Sequence, residues 1–266
     1  MLPPFPNLSF NYVAPVIRAD GTQAVLKAGV PNRERATEIE ALQAYDGQNS
    51  VRVLEVDGER GIVLLERLLP GQPLTALADE TNDEKATAIA AGVMRGLWRP
   101  APEGHAFPTV EEWAGGLKEL RRRFDGGVGP LPLALVEEAE SLFAELIGSM
   151  EEPVLLHGDL HHDNILAATR QPWLAIDPKG LIGEPAYEVG AILRNLWQGQ
   201  HTITNPGRLL ERRVCQFSEQ LGFDRTRVRG WGVAQAVLSA WWSMEDSGEG
   251  WEGAIFIAEL LSSIKV

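Results

Sequence analysis

In the run His157-Gly158-Asp159-Leu160-His161-His162-Asp163-Asn164, an aspartate stands five residues before an asparagine, and a second aspartate, Asp177, follows thirteen positions after Asn164. In-line phosphoryl transfer asks little covalent chemistry of a protein. It needs positioning, a cation to absorb charge on the phosphate oxygens, and one carboxylate to take the proton of the attacking hydroxyl. Magnesium prefers carboxylate and amide oxygens. By this spacing Asp159 reads as the base, and Asn164 and Asp177 read as the magnesium ligands of an ATP-dependent phosphotransferase. The same run also offers a zinc site, because His157, Asp159, His161, His162 and Asp163 are all potential ligands. Their order differs from the His-x-His-x-Asp-His run of metallo-beta-lactamase-like hydrolases, so His161 and His162 read as loop residues.

Short apolar segments at 153–156, 165–168 and 173–176 frame these residues. The expected order is strand, polar loop, strand, turn, strand, with an oxygen ligand at two junctions. Upstream, segments 11–18 and 22–28 flank Asp20-Gly21, and segments 51–56 and 61–65 flank Asp57-Gly58. Asp-Gly favours tight hairpins because it tolerates positive φ. Between the hairpins, 31–45 reads as a helix with Ile39, Leu42 and Tyr45 on one side and Gly47 beyond its end. Lys27 ends the second strand, where a kinase places the lysine that contacts the α- and β-phosphates. Glu34, Glu38 and Glu40 on the following helix are its candidate partners.

The remainder reads as mostly helical. Thr81-x-x-Glu84 and Thr109-x-x-Glu112 match capping boxes ahead of apolar stripes. Further helices are expected at 136–148, 186–197, 206–221 with Asn205 as cap, 225–244 and 251–264. A chain of 266 residues suffices for two lobes with a substantial core. Its formal net charge of -13 argues against a nucleic-acid partner and suits a cationic small molecule. The single cysteine, Cys215, excludes intrachain disulfides and fits a reducing compartment. With neither an export signal nor an apolar run of membrane-spanning length, no membrane role is expected and the protein reads as cytoplasmic.

Together, the 157–164 run, Asp177-Pro178-Lys179-Gly180 and Gly183-Glu184-Pro185-Ala186-Tyr187 resemble the aminoglycoside phosphotransferases, and among them the streptomycin 6-kinase and hydroxyurea phosphotransferase family. The resemblance implies an α+β, bilobal protein-kinase-like fold. A small antiparallel-sheet N-lobe with one helix (1–68) would bind nucleotide, and a larger, mainly helical C-lobe (69–266) would carry the catalytic loop and acceptor site. It implies ATP and magnesium, and Glu38 as the partner of Lys27. Glu66-Arg67-Leu68-Leu69-Pro70-Gly71 would form the hinge, with adenine held by the main chain of Glu66 and Leu68. The implied acceptor is a hydroxyl of a streptomycin-like aminoglycoside, with resistance as the outcome and hydroxyurea or another metabolite as alternatives. Carboxylates and aromatic faces suit such a cation, which makes Glu184, Trp241, Trp242, Glu245 and Asp246 the candidate acceptor residues. Glu188 stands where the family often carries Asp and would support the loop.

Departures from the kinase pattern inform function. Gly158 replaces the basic residue that regulated protein kinases use to read a phosphorylated activation segment, so activity is expected to be constitutive. Only seven residues separate Asp177 from Pro185, which leaves little room to dock a peptide and favours a small acceptor. The glycine-bearing phosphate cover is also missing, and residues 3–7 offer at best a reduced version. That feature opens the alternative of a non-catalytic nucleotide-binding protein.

Overall fold

The computed structural model describes residues 11–196 and 203–266. The reduced phosphate cover expected at 3–7 and the end of the 186–197 helix at Trp197 lie outside them. Strands β1 (Tyr12–Ile17) and β2 (Gln23–Ala28) form the first hairpin. At its turn Gly21 has φ +84°, and Asp20 Oδ1 accepts from the Thr22 amide at 2.9 Å. Helix α1 (Arg33–Tyr45) follows, capped by the Asn32 side chain, which accepts the Arg35 amide at 2.8 Å. Strands β3 (Val53–Asp57) and β4 (Ile62–Glu66) complete an antiparallel sheet of order β1-β2-β4-β3. Strand β5 (Pro70–Pro73) was not expected from the sequence, where its first two residues read as the end of the hinge.

Helices α2 (Asp83–Leu97), α3 (Val110–Arg123) and α4 (Leu133–Gly148) lead to β6 (Val154–Leu156), β7 (Ile165–Ala168), β8 (Trp173–Ala175) and β9 (Leu181–Gly183). Strand β5 joins β7 and β8 in a three-stranded sheet, while β6 pairs with β9. The last helices are α5 (Val189–Arg194), α6 (Pro206–Leu221), α7 (Arg225–Ser247) and α8 (Trp251–Ser263). Thr109 and Glu112 form the reciprocal capping box expected for α3. The box expected at Thr81 does not form: α2 is capped at Asn82 without a side-chain bond, and Asp79 Oδ1 instead accepts the amides of Thr81 and Asn82, each at 2.8 Å. The helix expected from 186 opens as a 3-10 turn, Pro185–Glu188, before α5.

Two apolar clusters result. One joins Ile39, Leu42, Val51, Val63 and Leu65 beneath the four-stranded sheet, and the other runs through the helices around α7, with Trp231 and Leu238 fully buried. Helix α1 serves both, because Ala41 and Tyr45 enter the larger cluster while Ile39 and Leu42 face the sheet. Its C-terminal carbonyls, Ala44 O and Tyr45 O, each accept from Arg99 Nη1 at 3.0 Å. Just beyond, Val51 N donates to Ala175 O and Ala175 N to Asn49 O, both at 2.9 Å. The helix that carries Glu38 is therefore fastened to the strands that flank the 157–164 run and Asp177.

Candidate active site

Strand β6 ends at Leu156 and hands the chain to His157, whose amide donates to Glu188 Oε2 at 2.7 Å; the Gly158 amide donates to Glu188 Oε1 at 2.9 Å. The expected support of the loop by Glu188 is thus a two-pronged grip on its first two amides. Gly158 needs its lack of a side chain: φ is +84°, and a Cβ would meet Trp113, Leu181 and Lys179 at 3.2–3.3 Å. His157 is fully buried, with Nε2 2.7 Å from Ile176 O and Nδ1 accepting the Asp159 amide at 3.2 Å. Both ring nitrogens are engaged, and burial pushes its pKa down to about 4. His162 is buried beside Arg213. With both ring nitrogens of His157 engaged and His162 buried, these two side chains are not presented as zinc ligands.

Burial pushes the Glu188 carboxyl up to about 7, against the pull of the two amides. A raised carboxyl pKa gives stability that is complete below the ordinary value of 4.5 and is lost as pH rises through about 7. The lowered His157 has the opposite slope, losing stability as pH falls from 6.5 toward about 4, so the two mask each other over much of that range. Glu188→Gln removes one of them. Its stability deficit against wild type should shrink as pH rises from 4.5 to 7 in denaturant titrations; a deficit that widens instead would mean that the amides keep Glu188 ionised.

A cleft of about 560 Å³ opens between the four-stranded sheet, α1 and the catalytic run, lined in part by Lys27, Glu38, Asp159, Asn164, Asp177 and Asp246. Lys27 Nζ lies 2.6 Å from Glu38 Oε1 and 3.0 Å from Asp177 Oδ1, and Arg35 Nη1 holds the other Glu38 oxygen at 2.8 Å. Glu38 thus stands out from the three candidate glutamates; Glu34 pairs with Lys179 instead. Asn164 Nδ2 donates to Asp159 O at 2.9 Å, and Ile176 N donates to Asn164 O at 2.9 Å, which ties the two candidate metal ligands together through backbone. Asp177 has φ +58°, a left-handed conformation that Asp tolerates better than most residues. Asn164 Oδ1 and the Asp177 carboxylate are hard oxygen donors facing one cleft, a set that fits magnesium.

Compared with known proteins, residues 7–247 match the model of the aminoglycoside/hydroxyurea antibiotic resistance kinases. The chain belongs to this kinase family. It is 36% identical to streptomycin 6-kinase of Streptomyces griseus over 89% of this chain and 76% of that one. It is 37% identical to hydroxyurea phosphotransferase of Kitasatospora aureofaciens over 88% of this chain and 66% of that one. Among solved structures, aminoglycoside phosphotransferase APH(4)-Ia in complex with ADP and hygromycin B has a TM-score of 0.68 at 15% identity, covering 99% of this chain and 92% of that one. That likeness establishes the protein-kinase-like, α+β fold. Membership of a kinase family implies a nucleotide phosphate donor.

Not every candidate residue of this kinase reaches the cleft. Glu184 is buried within the helical lobe, where it accepts from Arg227 Nε at 2.7 Å and from the Trp231 indole, so the structure does not bring it to an acceptor. Trp241 and Glu245 line a separate hollow with Glu119, Arg122 and Arg123. Trp242 packs edge-on against Trp113, with ring centroids 5.3 Å apart. Of the five acceptor candidates, Asp246 lines the cleft. Glu66 ends β4 with its side chain turned to the Arg52 amide and to Arg170, and Leu68 packs beside the sheet cluster. Neither Glu66 nor Leu68 is among the residues that line the cleft.

Sequence reasoning missed two cations. Arg35 lies one helical turn before Glu38, and that spacing on one helix face was a readable signal. Arg194, at the end of α5, donates to Asp159 Oδ1 at 2.6 Å across 35 residues, and no local pattern announces it. Burial works to raise the Asp159 carboxyl, but Arg194, with the nearby histidines and Lys179, outweighs it and holds the group below its ordinary value. Arg194→Met should therefore move the acidic limb of the kcat/KM pH profile to higher pH and lower kcat by about tenfold or more. An unmoved limb would show that Arg194 does not set the charge of Asp159.

Proposed function

We propose that this kinase transfers the γ-phosphoryl group of ATP to a hydroxyl of a cationic small molecule, with a streptomycin-like aminoglycoside as the acceptor and resistance as the outcome. The observation that carries this reading is the convergence of Asp159, Asn164, Asp177 and the Lys27–Glu38 pair on one cleft. In the proposed division of labour, residues 1–68 hold the nucleotide, with adenine against the main chain of Glu66 and Leu68, and residues 69–266 supply the acceptor site. Arg194 occupies Asp159 Oδ1, which leaves Oδ2 to take the acceptor proton as the hydroxyl oxygen bonds to phosphorus and ADP departs. Asn164 Oδ1 and Asp177 would hold magnesium, which neutralises charge on the phosphate oxygens when bound. Lys27, braced by Glu38, would contact the α- and β-phosphates.

The acceptor class is supported by the names of the relatives and by the net charge of -13, which draws cations and disfavours nucleic acid. Strand β9 begins four residues after Asp177 and pairs with β6, a return too short to dock a peptide. None of the described helices is long and apolar enough to cross a membrane; the proposed location is the cytoplasm. The likeness to hydroxyurea phosphotransferase supports a second acceptor, hydroxyurea. Release of ADP is to be measured with ATP, magnesium and each candidate in turn. Streptomycin-dependent release with a phosphorylated product is expected, and turnover with hydroxyurea alone would redirect the assignment. ATP binding without acceptor-dependent turnover across the panel would favour a non-catalytic protein.

A further inference from the structure

Beneath the catalytic run lies a buried ion pair that the proposed chemistry does not use. Asp83, the first residue of α2, and Arg213, in α6, are both fully buried. Arg213 Nε and Nη2 approach Asp83 Oδ1 at 2.9 and 2.8 Å, and Arg212 Nη2 donates to Asp83 Oδ2 at 2.9 Å. The guanidinium also reaches two other elements. Nη1 donates to Ile192 O in α5 at 3.1 Å, and Nη2 lies 3.5 Å from His162 Nε2 in the 3-10 turn His162–Asn164. Ile192 stands two residues before Arg194, the residue that grips Asp159. His162 stands two residues before Asn164.

Stability alone explains this arrangement poorly. Withdrawing both charges from water is costly, and well-packed apolar residues of similar volume are often as stabilising. What an arginine adds is a rigid fork of donors that fixes several partners at once. We propose that Arg213, anchored by Asp83, is a positioning residue that sets Asp159 through α5 and Asn164 through His162. The role of those two residues rests on the phosphotransfer reading above.

Two variants test it. Arg213→Lys keeps the charge opposite Asp83 but loses the fork, and Asp83→Leu combined with Arg213→Met replaces the pair by apolar volume. Both are expected to fold with near wild-type melting. Turnover of streptomycin should fall about 10–100-fold, as when outer supports of an active site are removed, with the KM for ATP little changed and the half-saturating magnesium concentration raised several-fold. Manganese binding to the protein alone, followed by water proton relaxation, should weaken in parallel and reads the Asn164 position without turnover. Folded variants with wild-type turnover and manganese affinity would overturn the proposal. Failure of both variants to fold would overturn it too, because the pair would then be structural. Asp159→Asn is the control: if it retains turnover, the phosphotransfer reading fails, whereas an inactive Asp159→Asn beside unaltered Arg213 and Asp83 variants removes the positioning role alone.

Discussion

Asp159→Asn is expected to lower kcat by roughly 10²–10⁴-fold, the usual range for loss of a positioned general base, with little change in melting temperature. The asparagine can still accept from Arg194 through its own amide oxygen, so the arginine is not stranded in a partly buried site; its side chain is 13% exposed. Where the carboxylate offered Oδ2 to the acceptor, an amide NH₂ can only donate. The hydroxyl then loses both its proton acceptor and the contact that orients it. Because Arg194 holds Asp159 below the ordinary carboxylate value, Asp159 is a weak base. That suits a loose transition state in which the hydroxyl surrenders its proton late, and it makes orientation a large part of the role of Asp159. Steady-state ADP release alongside a thermal melt checks both halves. Unchanged turnover on every accepted substrate would remove Asp159 from the chemistry.

The same residue marks how far the sequence could be read. Asp159, Asn164 and Asp177 are legible because their spacing is local and each sits at the edge of a short apolar strand. The Asp-Gly hairpins and α1 are legible for similar reasons: a turn residue or a cap decides each over a few positions. Lys27 and Glu38, eleven residues apart, follow from the hairpin-helix order. Arg194 and Asp159 are joined across 35 residues, and Arg213 and Asp83 across 130, so their partners depend on how α5, α6 and α2 pack. Glu184 illustrates the converse. An acidic residue beside the catalytic run looked available to a cation, yet α7 brings Arg227 and Trp231 onto it and closes it into the core. Of the five acceptor candidates, Asp246 of α7 lines the cleft, far along the chain from the 157–177 segment.

Lys27→Met is expected to have two effects of opposite sign. Turnover should fall, because a cation aimed at the phosphates is removed; loss of one such donor costs on the order of 10²–10³-fold, and here it should be seen in kcat/KM for ATP. The fold should persist, since Glu38 keeps Arg35 at 2.8 Å and no buried carboxylate is left without a partner. Metal binding in the absence of nucleotide should instead tighten. Lys27 Nζ sits 3.0 Å from Asp177 Oδ1, so the ammonium competes with a divalent cation for the same carboxylate. The Asp177 side chain is 43% exposed but that of Lys27 only 5%, so the dielectric of water sets the weakest interaction this pair can have. Two unit charges at that separation then interact by about 1.4 kcal/mol, a factor of about ten in affinity. Manganese titration of the nucleotide-free protein should accordingly give at least about tenfold tighter binding to the variant than to wild type. In the wild-type kinase, ATP would draw Lys27 onto its phosphates and free Asp177 for the metal, so nucleotide and metal would bind cooperatively. Equal manganese affinity in the two proteins would mean that the Lys27–Asp177 contact does not restrain the metal site, and the cooperativity would need another source.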